Sequence, residues 1–325
     1  MKYSGIGGQA LLEGIMMKNK DNYAVAVRKP DGEIVVEKDT YVSLTEKVKF
    51  FSLPFIRGVF NFADSMILGM KTLTWSAEFF EDDEEDEEPG KFEKWLIDKF
   101  GEKLEDVIMS VVMVFSVVMA IGIFMILPML ISNVFRMFIK SDTVMAVLEG
   151  CIRIGIFVTY IKLISRMEDI KRTFMYHGSE HKCINCLEHG LELNVENVMK
   201  SSKEHKRCGT SFLLIVMMIS ILFFMVVRVD TIWLKMLSRI LLIPVIAGIS
   251  YEVLRLAGRS NSKIMDIISK PGMMMQGLTT LEPDEKMAEV AIAAVEAIFD
   301  WRAYLEENFP EKYPEGYFAK AEAEE

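Results

Sequence analysis

The sequence lacks the motifs that identify most soluble enzymes and nucleic-acid-binding proteins. Its 325 residues contain no internal repeat, no Walker-type phosphate loop, no basic surface typical of nucleic-acid binding and no Ser/His/Asp arrangement for nucleophilic catalysis. The N-terminus lacks the pattern of a secretory signal peptide, because its short apolar run is interrupted by Glu13. These absences exclude nucleic acid as a partner, so the composition has to indicate the class of protein.

Apolar residues are too abundant for a soluble domain of this length. Hydrophobic residues make up 51% of the chain, methionine occurs 24 times and the mean hydropathy is +0.24, which indicates a membrane protein. A helix needs about 20 residues to cross a hydrocarbon core of roughly 30 Å. Four windows are predicted to be spans: residues 107–131, 144–164, 210–227 and 236–256.

The second predicted span contains charged residues. Glu149 and Arg153 lie four residues apart and therefore share one helical face, where an opposite-charge pair can turn toward the bundle interior. Alternatively, the two residues mark a ragged helix end at the membrane interface. A transporter would need paired charges at the membrane midplane, and this pair is the main candidate for them.

Basic residues predict the orientation of the spans. Residues 165–209, between the second and third spans, carry eight lysines and arginines, whereas residues 132–143 carry two. Because cytoplasmic loops are enriched in positive charge, we expect residues 165–209 and both termini on the cytoplasmic side of the cell membrane. In that compartment the cysteines stay reduced and are available as metal ligands.

The N-terminal 90 residues are predicted to form small cytoplasmic elements. Residues 1–80 contain a glycine-rich stretch, two alternating runs joined by the turn Pro30-Asp31-Gly32, and an amphipathic helix at residues 55–75. The acidic run EDDEEDEE falls in residues 81–90, which are predicted to be a solvated linker.

The rest of the chain is divided by the predicted spans. Residues 91–164 hold the first helical pair, residues 210–256 the second, and residues 257–325 two cytoplasmic helices broken at Pro271 and Gly272. The predicted fold class is an α-helical multi-pass membrane protein with four spans, a small N-terminal β-hairpin element and cytoplasmic helices.

A cluster of metal-ligating residues lies in the predicted cytoplasmic loop. Residues 177–190, HGSEHKCINCLEHG, hold three of the four histidines and two of the four cysteines. His177, Glu180 and His181 spell H-x-x-E-H. On a helix both imidazoles can reach one ion, and Glu180 can approach a water on that ion. This is the residue order of inverted zinc peptidases, in which the metal acidifies water and the carboxylate takes the proton.

A second allocation of ligands uses different atoms. Cys183 and Cys186 form C-x-x-C, and His205 and Cys208 form H-x-x-C further along, a spacing close to that of two zinc-ribbon knuckles. Four protein ligands would complete a tetrahedron and leave no open position for chemistry. Gly178 also weighs against the helical reading of H-x-x-E-H, since glycine costs about 1 kcal/mol relative to alanine within a helix.

Four segments together resemble the YqhQ-like family of bacterial membrane proteins, and the resemblance covers almost the whole chain. The segments are GGQALLEGIMMK, HGSEHK, HKRCGTSF and PGMMMQGLTTLEPD. That family typically has H-G-A-E-H-K and H-P-R-C-G-T, so this sequence departs from it at Ser179 and Lys206.

The resemblance implies a metal-dependent enzyme, because the family is described as predicted metal-dependent enzymes. The positions that match its motifs are His177, Glu180, His181, His205 and Cys208. The C-x-x-C pair is not part of the family signature. The resemblance therefore favours the three histidines as metal ligands, with Cys208 as the fourth ligand or a neighbour.

The resemblance also includes the glycine-rich N-terminal segment. Glu13 is an acid among apolar residues, and glycines permit close approach of the backbone. We therefore expect Gln9 and Glu13 to fold back toward the histidine cluster. The alternative is a purely structural loop, and the glycine spacing is not that of a dinucleotide-binding motif.

The predicted function is that of an integral membrane metal-dependent hydrolase with Glu180 as the general base. Zinc is the expected cofactor because imidazole and thiolate are the available ligands, although iron or manganese could occupy a histidine-rich site. The alternative is a non-enzymatic membrane scaffold or assembly factor with structural zinc. The expected partners are the lipid bilayer and a membrane-associated substrate, and a homo-oligomer is compatible with the sequence.

Overall fold

A computed structural model describes residues 2–80, 101, 104–227, 229, 231–259 and 262–319. The chain divides into two compact units. The first consists of Met1–Phe80, Ile161–Ile219 and Leu241–Glu325, and the second of Glu81–Tyr160 and Ser220–Ile240. The predicted acidic linker at residues 81–90 lies outside the described residues.

The first unit begins with a four-stranded antiparallel sheet in the order β1-β2-β3-β4. Its strands are β1 (Ile6–Leu11), β2 (Gly14–Asn19), β3 (Asn22–Arg28) and β4 (Ile34–Thr40). The predicted hairpin is confirmed as β3 and β4, and Gly32 in its turn has a φ of +91°. The sheet has two more strands than predicted, because the glycine-rich stretch itself forms the hairpin of β1 and β2.

Helices pack on both faces of this sheet. On one face, Ile15 and Met17 belong to a core shared with the helices Glu168–Glu188 and Glu285–Ile298. On the other face, Met16 and Val25 pack with Leu68 of the helix α2 (Ile56–Ala77), which follows a short helix α1 (Leu44–Lys47) and a 3₁₀ turn (Lys49–Ser52). Because side chains alternate across a strand, β2 has apolar residues toward both layers.

Four helical stretches in the described part of the chain are long and apolar enough to cross a membrane, which confirms the prediction of four such helices. They are Val107–Met137, Asp142–Ile164, Gly209–Val226 and Trp233–Gly258. The first comprises α3 (Leu104–Ile121), a π-helical turn (Gly122–Ile126), α4 (Leu127–Val134) and a 3₁₀ turn (Phe135–Met137). The others are α5 (Asp142–Ile164), α8 (Gly209–Val226) and α9 (Ile232–Arg259).

The remaining helices belong to the first unit. They are α6 (Glu168–Glu188), α7 (Val195–Lys200), α10 (Lys263–Thr279), α11 (Glu285–Ile298) and α12 (Trp301–Asn308). The predicted break at Pro271 and Gly272 is wrong, because α10 continues through both residues. Gly272 permits close packing there, since a Cβ at this position would lie 2.8 Å from Ser211 Cβ. The chain breaks instead after Thr279, and Asp284 caps the next helix.

Candidate metal centre

Helix α6 presents the H-x-x-E-H residues, as the sequence predicted for a helical motif. Acidic residues occupy its first turn, where the helix dipole favours negative charge. At the other end, Gly190 has a φ of +72°, and the amide of Leu191 donates to the carbonyl of Cys186 at 3.0 Å, which closes a Schellman motif. The half of the helix that carries the site is buried.

Gly178 allows a second segment to cross α6 closely. A Cβ at this position would lie 2.0 Å from the carbonyl oxygen of Leu281, far inside van der Waals contact. The amide of Leu281 in turn donates to the carbonyl of Phe174 at 2.9 Å. Gly178 therefore allows the Leu281 segment to pack closely on the helix. The stability gained from this packing outweighs the low helix propensity of glycine.

Backbone carbonyls fix the tautomers of two histidines. The Nδ1 atom of His177 lies 2.9 Å from the carbonyl oxygen of Thr279, and that of His181 lies 2.7 Å from the carbonyl oxygen of Lys203. A carbonyl only accepts, so each Nδ1 carries the proton and donates it. Each Nε2 then keeps its lone pair, the arrangement in which histidine binds a metal.

Cys208 joins these two histidines. Its Sγ lies 3.2 Å from His177 Nε2, and the ligand atoms of His177, His181 and Cys208 all lie within 4.8 Å of one another. Ligands bound at about 2.0–2.3 Å to one tetrahedral ion are about 3.3–3.8 Å apart. The distance between Cys208 and His177 is close to this spacing, and the 4.8 Å limit of the group exceeds it by about 1 Å. The group fits zinc, because imidazole and thiolate are donors that zinc prefers.

Cys208 lies at the N-terminus of a helix. The residue is buried and directly precedes α8, whose N-terminal amides favour negative charge. The amide of Thr210 donates to the sulfur at 3.4 Å.

Glu180 lies on the same helix between the two histidines. It is 6% exposed, and the backbone of Gly8 in β1 lies close to its carboxylate. Burial raises the pKa of Glu180, although His177 and the Gly8 amide oppose this shift. A Cβ on Gly8 would lie 2.9 Å from Glu180 Cδ, so glycine in β1 permits this close approach.

These side chains line one cavity of about 280 Å³ in the first unit. Its wall combines the N-terminal strand, helix α6 and the segment leading into α8. The lining residues that bear on the chemistry are Gly8, His177, Glu180, His181, His205 and Cys208.

His205 lines the cavity but lies outside the group of three ligand atoms. Its ring centroid is 5.6 Å from that of His181, and its Nε2 lies 3.7 Å from Glu188 and 3.4 Å from Arg207. Burial lowers the pKa of His205, although the nearby Glu188 carboxylate opposes this shift. Gln276 holds the backbone of His205, accepting from its amide at 2.9 Å and donating to its carbonyl at 2.7 Å.

Cys183 and Cys186 belong to the apolar core of the first unit and not to the ligand group. The Cys186 thiol donates to the carbonyl of Glu192 at 3.4 Å. Burial raises the pKa of Cys183 well above its ordinary value and that of Cys186 to about 11. Such shifts oppose the thiolate form that binds a metal.

Gln9 and Glu13 have other contacts. The Gln9 amide group packs against Gly69 of α2. Glu13 forms an ion pair with Arg172 and accepts a hydrogen bond from the Tyr176 hydroxyl at 3.3 Å. The part of this segment that lines the cavity is residues 5–8.

Sequence reasoning missed the groups that hold the ligands in position. Thr279 and Lys203 act through backbone carbonyls, which have no side-chain signal. On α6, Lys182 donates to the carbonyls of Met199 and Ser201 at 2.7 and 3.0 Å. Its neighbour Asn185 donates to those of Ser202 and Glu204 at 2.6 and 2.9 Å. Together these bonds fix the 199–204 segment along the helix.

Comparison with known proteins finds relatives without an assigned activity. A family model described as "Protein of unknown function (DUF1385)" matches residues 53–301. The "Uncharacterized protein YqhQ" of Bacillus subtilis (strain 168) is 33% identical over 312 residues, which cover 93% of this chain and 94% of that protein. No solved structure matches the chain.

Proposed function

The chain belongs to the DUF1385 family, and we propose that it is a membrane metalloenzyme that hydrolyses a membrane-associated substrate. The observation that carries this proposal is the group formed by His177, His181 and Cys208, whose ligand atoms lie within 4.8 Å of one another. Zinc is the proposed ion, because its catalytic sites combine three such protein ligands with one open position.

The number of ligands supports catalysis over a purely structural role. A structural zinc site uses four protein ligands, whereas the described residues supply three to this group. His205, the fourth residue of the sequence-based set, has its Nε2 beside Glu188 and Arg207. The cavity next to the group leaves room for a water and a substrate.

Glu180 is the proposed general base. A divalent ion would supply Lewis-acid chemistry, lowering the pKa of water toward about 7. Glu180 would accept the proton from that water and return it to the leaving group, and burial raises its pKa in the direction that favours a proton acceptor. The Gly8 backbone lies close to the carboxylate, and burial excludes bulk water. The same transfers serve hydrolysis of a peptide, a lipid ester or a phosphoester.

The location of Cys208 supports a membrane-associated substrate. The residue directly precedes α8, one of the four helices able to span a membrane, so the proposed site lies at the end of a span. The excess of basic residues in 165–209 supports the cytoplasmic side of the membrane.

The test separates metal binding from proton transfer. Glu180→Gln should retain the metal, because glutamine keeps the size of the side chain. Because glutamine cannot take the proton, the activity should fall by about 10² to 10⁴, and the variant should fail to complement a deletion strain. His181→Ala and Cys208→Ser should lose both metal and function. Glu168→Gln, an exposed change on the same helix, is the matched control and should retain both.

Metal content measured on each purified variant makes the test independent of the substrate. In cobalt-substituted protein, a thiolate-to-metal absorption band should be present in the wild type and absent in Cys208→Ser. If Glu180→Gln complements fully while Cys186→Ser loses its zinc and its function, the enzyme proposal is refuted and the scaffold with structural zinc is favoured.

A further inference from the structure

A buried ionic cluster lies in the second unit, within the membrane-spanning helices. The Glu149 carboxylate accepts a hydrogen bond from Arg153 at 2.9 Å and lies 2.6 Å from both terminal nitrogens of Arg239 on α9. The three side chains are at most 6% exposed. The pair of Glu149 and Arg153 therefore turns inward, as one reading of the sequence predicted, and a second arginine joins it.

The cluster has more positive than negative charge. Two arginines share one carboxylate, and both guanidinium groups lie over the ring of Phe224, at 5.1 and 4.6 Å from its centroid. Arg239 Nη1 approaches Glu149 without hydrogen-bond geometry, and Arg153 Nε has no hydrogen-bond partner among the described residues. A surplus buried cation is costly unless an anion compensates it.

A small cavity adjoins this cluster. It is lined by Glu149, Arg239 and Phe224 together with Arg136, Asp142 and Lys235. Arg136 and Asp142 form an ion pair at 2.5 Å, whereas Lys235 forms no ion pair with a described residue. Together with Arg153, which pairs with Glu149, the described groups at this cavity comprise four cations and two carboxylates, a surplus of two positive charges among them.

The size and depth of the cavity limit what it can hold. Its interior is about 40 Å³. One water occupies about 10–15 Å³ on this measure, so the space suits about three waters or one tetrahedral oxyanion. The wall includes Asp142 at the start of α5, Val227 and Val229 after α8, and Lys235 near the start of α9. The cavity therefore lies at span ends, at the depth of lipid headgroups.

We infer that this cavity binds a phosphate group, carried either by a phospholipid headgroup or by inorganic phosphate. The planar fork of arginine matches the oxygens of phosphate, and the lysine ammonium adds a third cationic donor. The phosphate neutralises the surplus charge that Glu149 leaves uncompensated.

The test uses full-length protein, purified in detergent and freed of lipid, and ligands that differ only in the phosphate group. Binding of dioleoyl phosphatidic acid and of dioleoylglycerol is compared by native mass spectrometry, with and without inorganic phosphate as competitor. Lys235→Gln should weaken binding of the phosphatidic acid about tenfold, because one charge-assisted contact is lost. Lys140→Gln removes an exposed lysine that does not line the cavity and should leave binding unchanged.

The outcomes separate the two sources of phosphate. Selective binding of the phosphatidic acid that inorganic phosphate does not displace supports a lipid headgroup. Displacement by millimolar inorganic phosphate supports the free anion in the same cavity. Equal binding of both lipids that inorganic phosphate does not change overturns the inference without any variant. An equal loss of binding in Lys235→Gln and Lys140→Gln also overturns it.

Discussion

Gly178→Ala is the substitution for which helix propensity and the structure predict opposite signs. Alanine is favoured over glycine within a helix by about 1 kcal/mol, so propensity alone predicts a more stable protein. In the structure, the new Cβ would lie 2.0 Å from the carbonyl oxygen of Leu281. That oxygen belongs to the backbone, so no side-chain rotation can relieve the overlap.

The expected magnitude follows from this overlap. The segment that carries Leu281 must move by about 1 Å to reach the closest tolerated contact, and overpacking of this kind costs about 1–3 kcal/mol. After the propensity gain, we expect a net loss of up to about 2 kcal/mol in the free energy of unfolding. The same movement displaces the Thr279 carbonyl from His177, and loss of such a supporting contact lowers metal affinity about 10- to 100-fold.

Gly277→Ala provides the matched control. Gly277 also lies in a helix, α10, two residues before Thr279, but a Cβ there would meet nothing within 4 Å. This variant should be as stable as the wild type or more stable, with unchanged metal affinity. The assay is denaturant unfolding in detergent together with zinc competition against a chromophoric chelator. Unaltered zinc affinity in Gly178→Ala, or equal damage in Gly277→Ala, would refute the reasoning.

Two further predictions concern buried carboxylates. Although burial raises the pKa of Glu188, its hydrogen bonds and the charge of Arg207 lower it to about 2, below the ordinary 4.5. Metal-free protein should therefore lose up to about 1.4 kcal/mol of stability per pH unit between about 4.5 and 2, and Glu188→Gln should remove this slope; identical slopes would contradict the assignment. Glu149→Gln should lower the free energy of unfolding by about 3–5 kcal/mol, because it leaves two buried arginines without their carboxylate. Asp142→Asn should lower it by about 1 kcal/mol or less, because the Asp142 side chain, which pairs with Arg136, is 43% exposed. Equal losses in thermal unfolding would refute this difference.

Local signals in the sequence predicted much of the fold. The four long apolar helices follow from hydropathy, because a span needs a continuous apolar stretch that few other structures require. The helix through His177 and His181 follows from their spacing, since residues four apart share a face. The hairpin of β3 and β4 follows from alternation around a turn that contains Gly32.

The remaining parts depend on contacts that one sequence does not display. The strands β1 and β2 were missed because glycines interrupt the alternation that identifies a strand. The H-x-x-E-H and C-x-x-C allocations look equally plausible as spacings. In the structure, Cys183 and Cys186 belong to the apolar core, whereas Cys208 contacts His177. Backbone carbonyls that orient the histidines cannot be identified from residue type.

The contact between His177 and the Thr279 carbonyl determines when, during translation, the candidate site can be completed. His177 depends on this group for its tautomer, and Gln276, three residues earlier, holds the backbone of His205. Both follow the fourth candidate span, Trp233–Gly258, whereas Gly8 precedes the first, Val107–Met137. A ribosome produces the chain from its N-terminus, so these contacts can form only after the whole membrane-spanning part has been translated. Under the proposed function, tight metal binding would therefore require that the chain has been synthesised beyond Thr279.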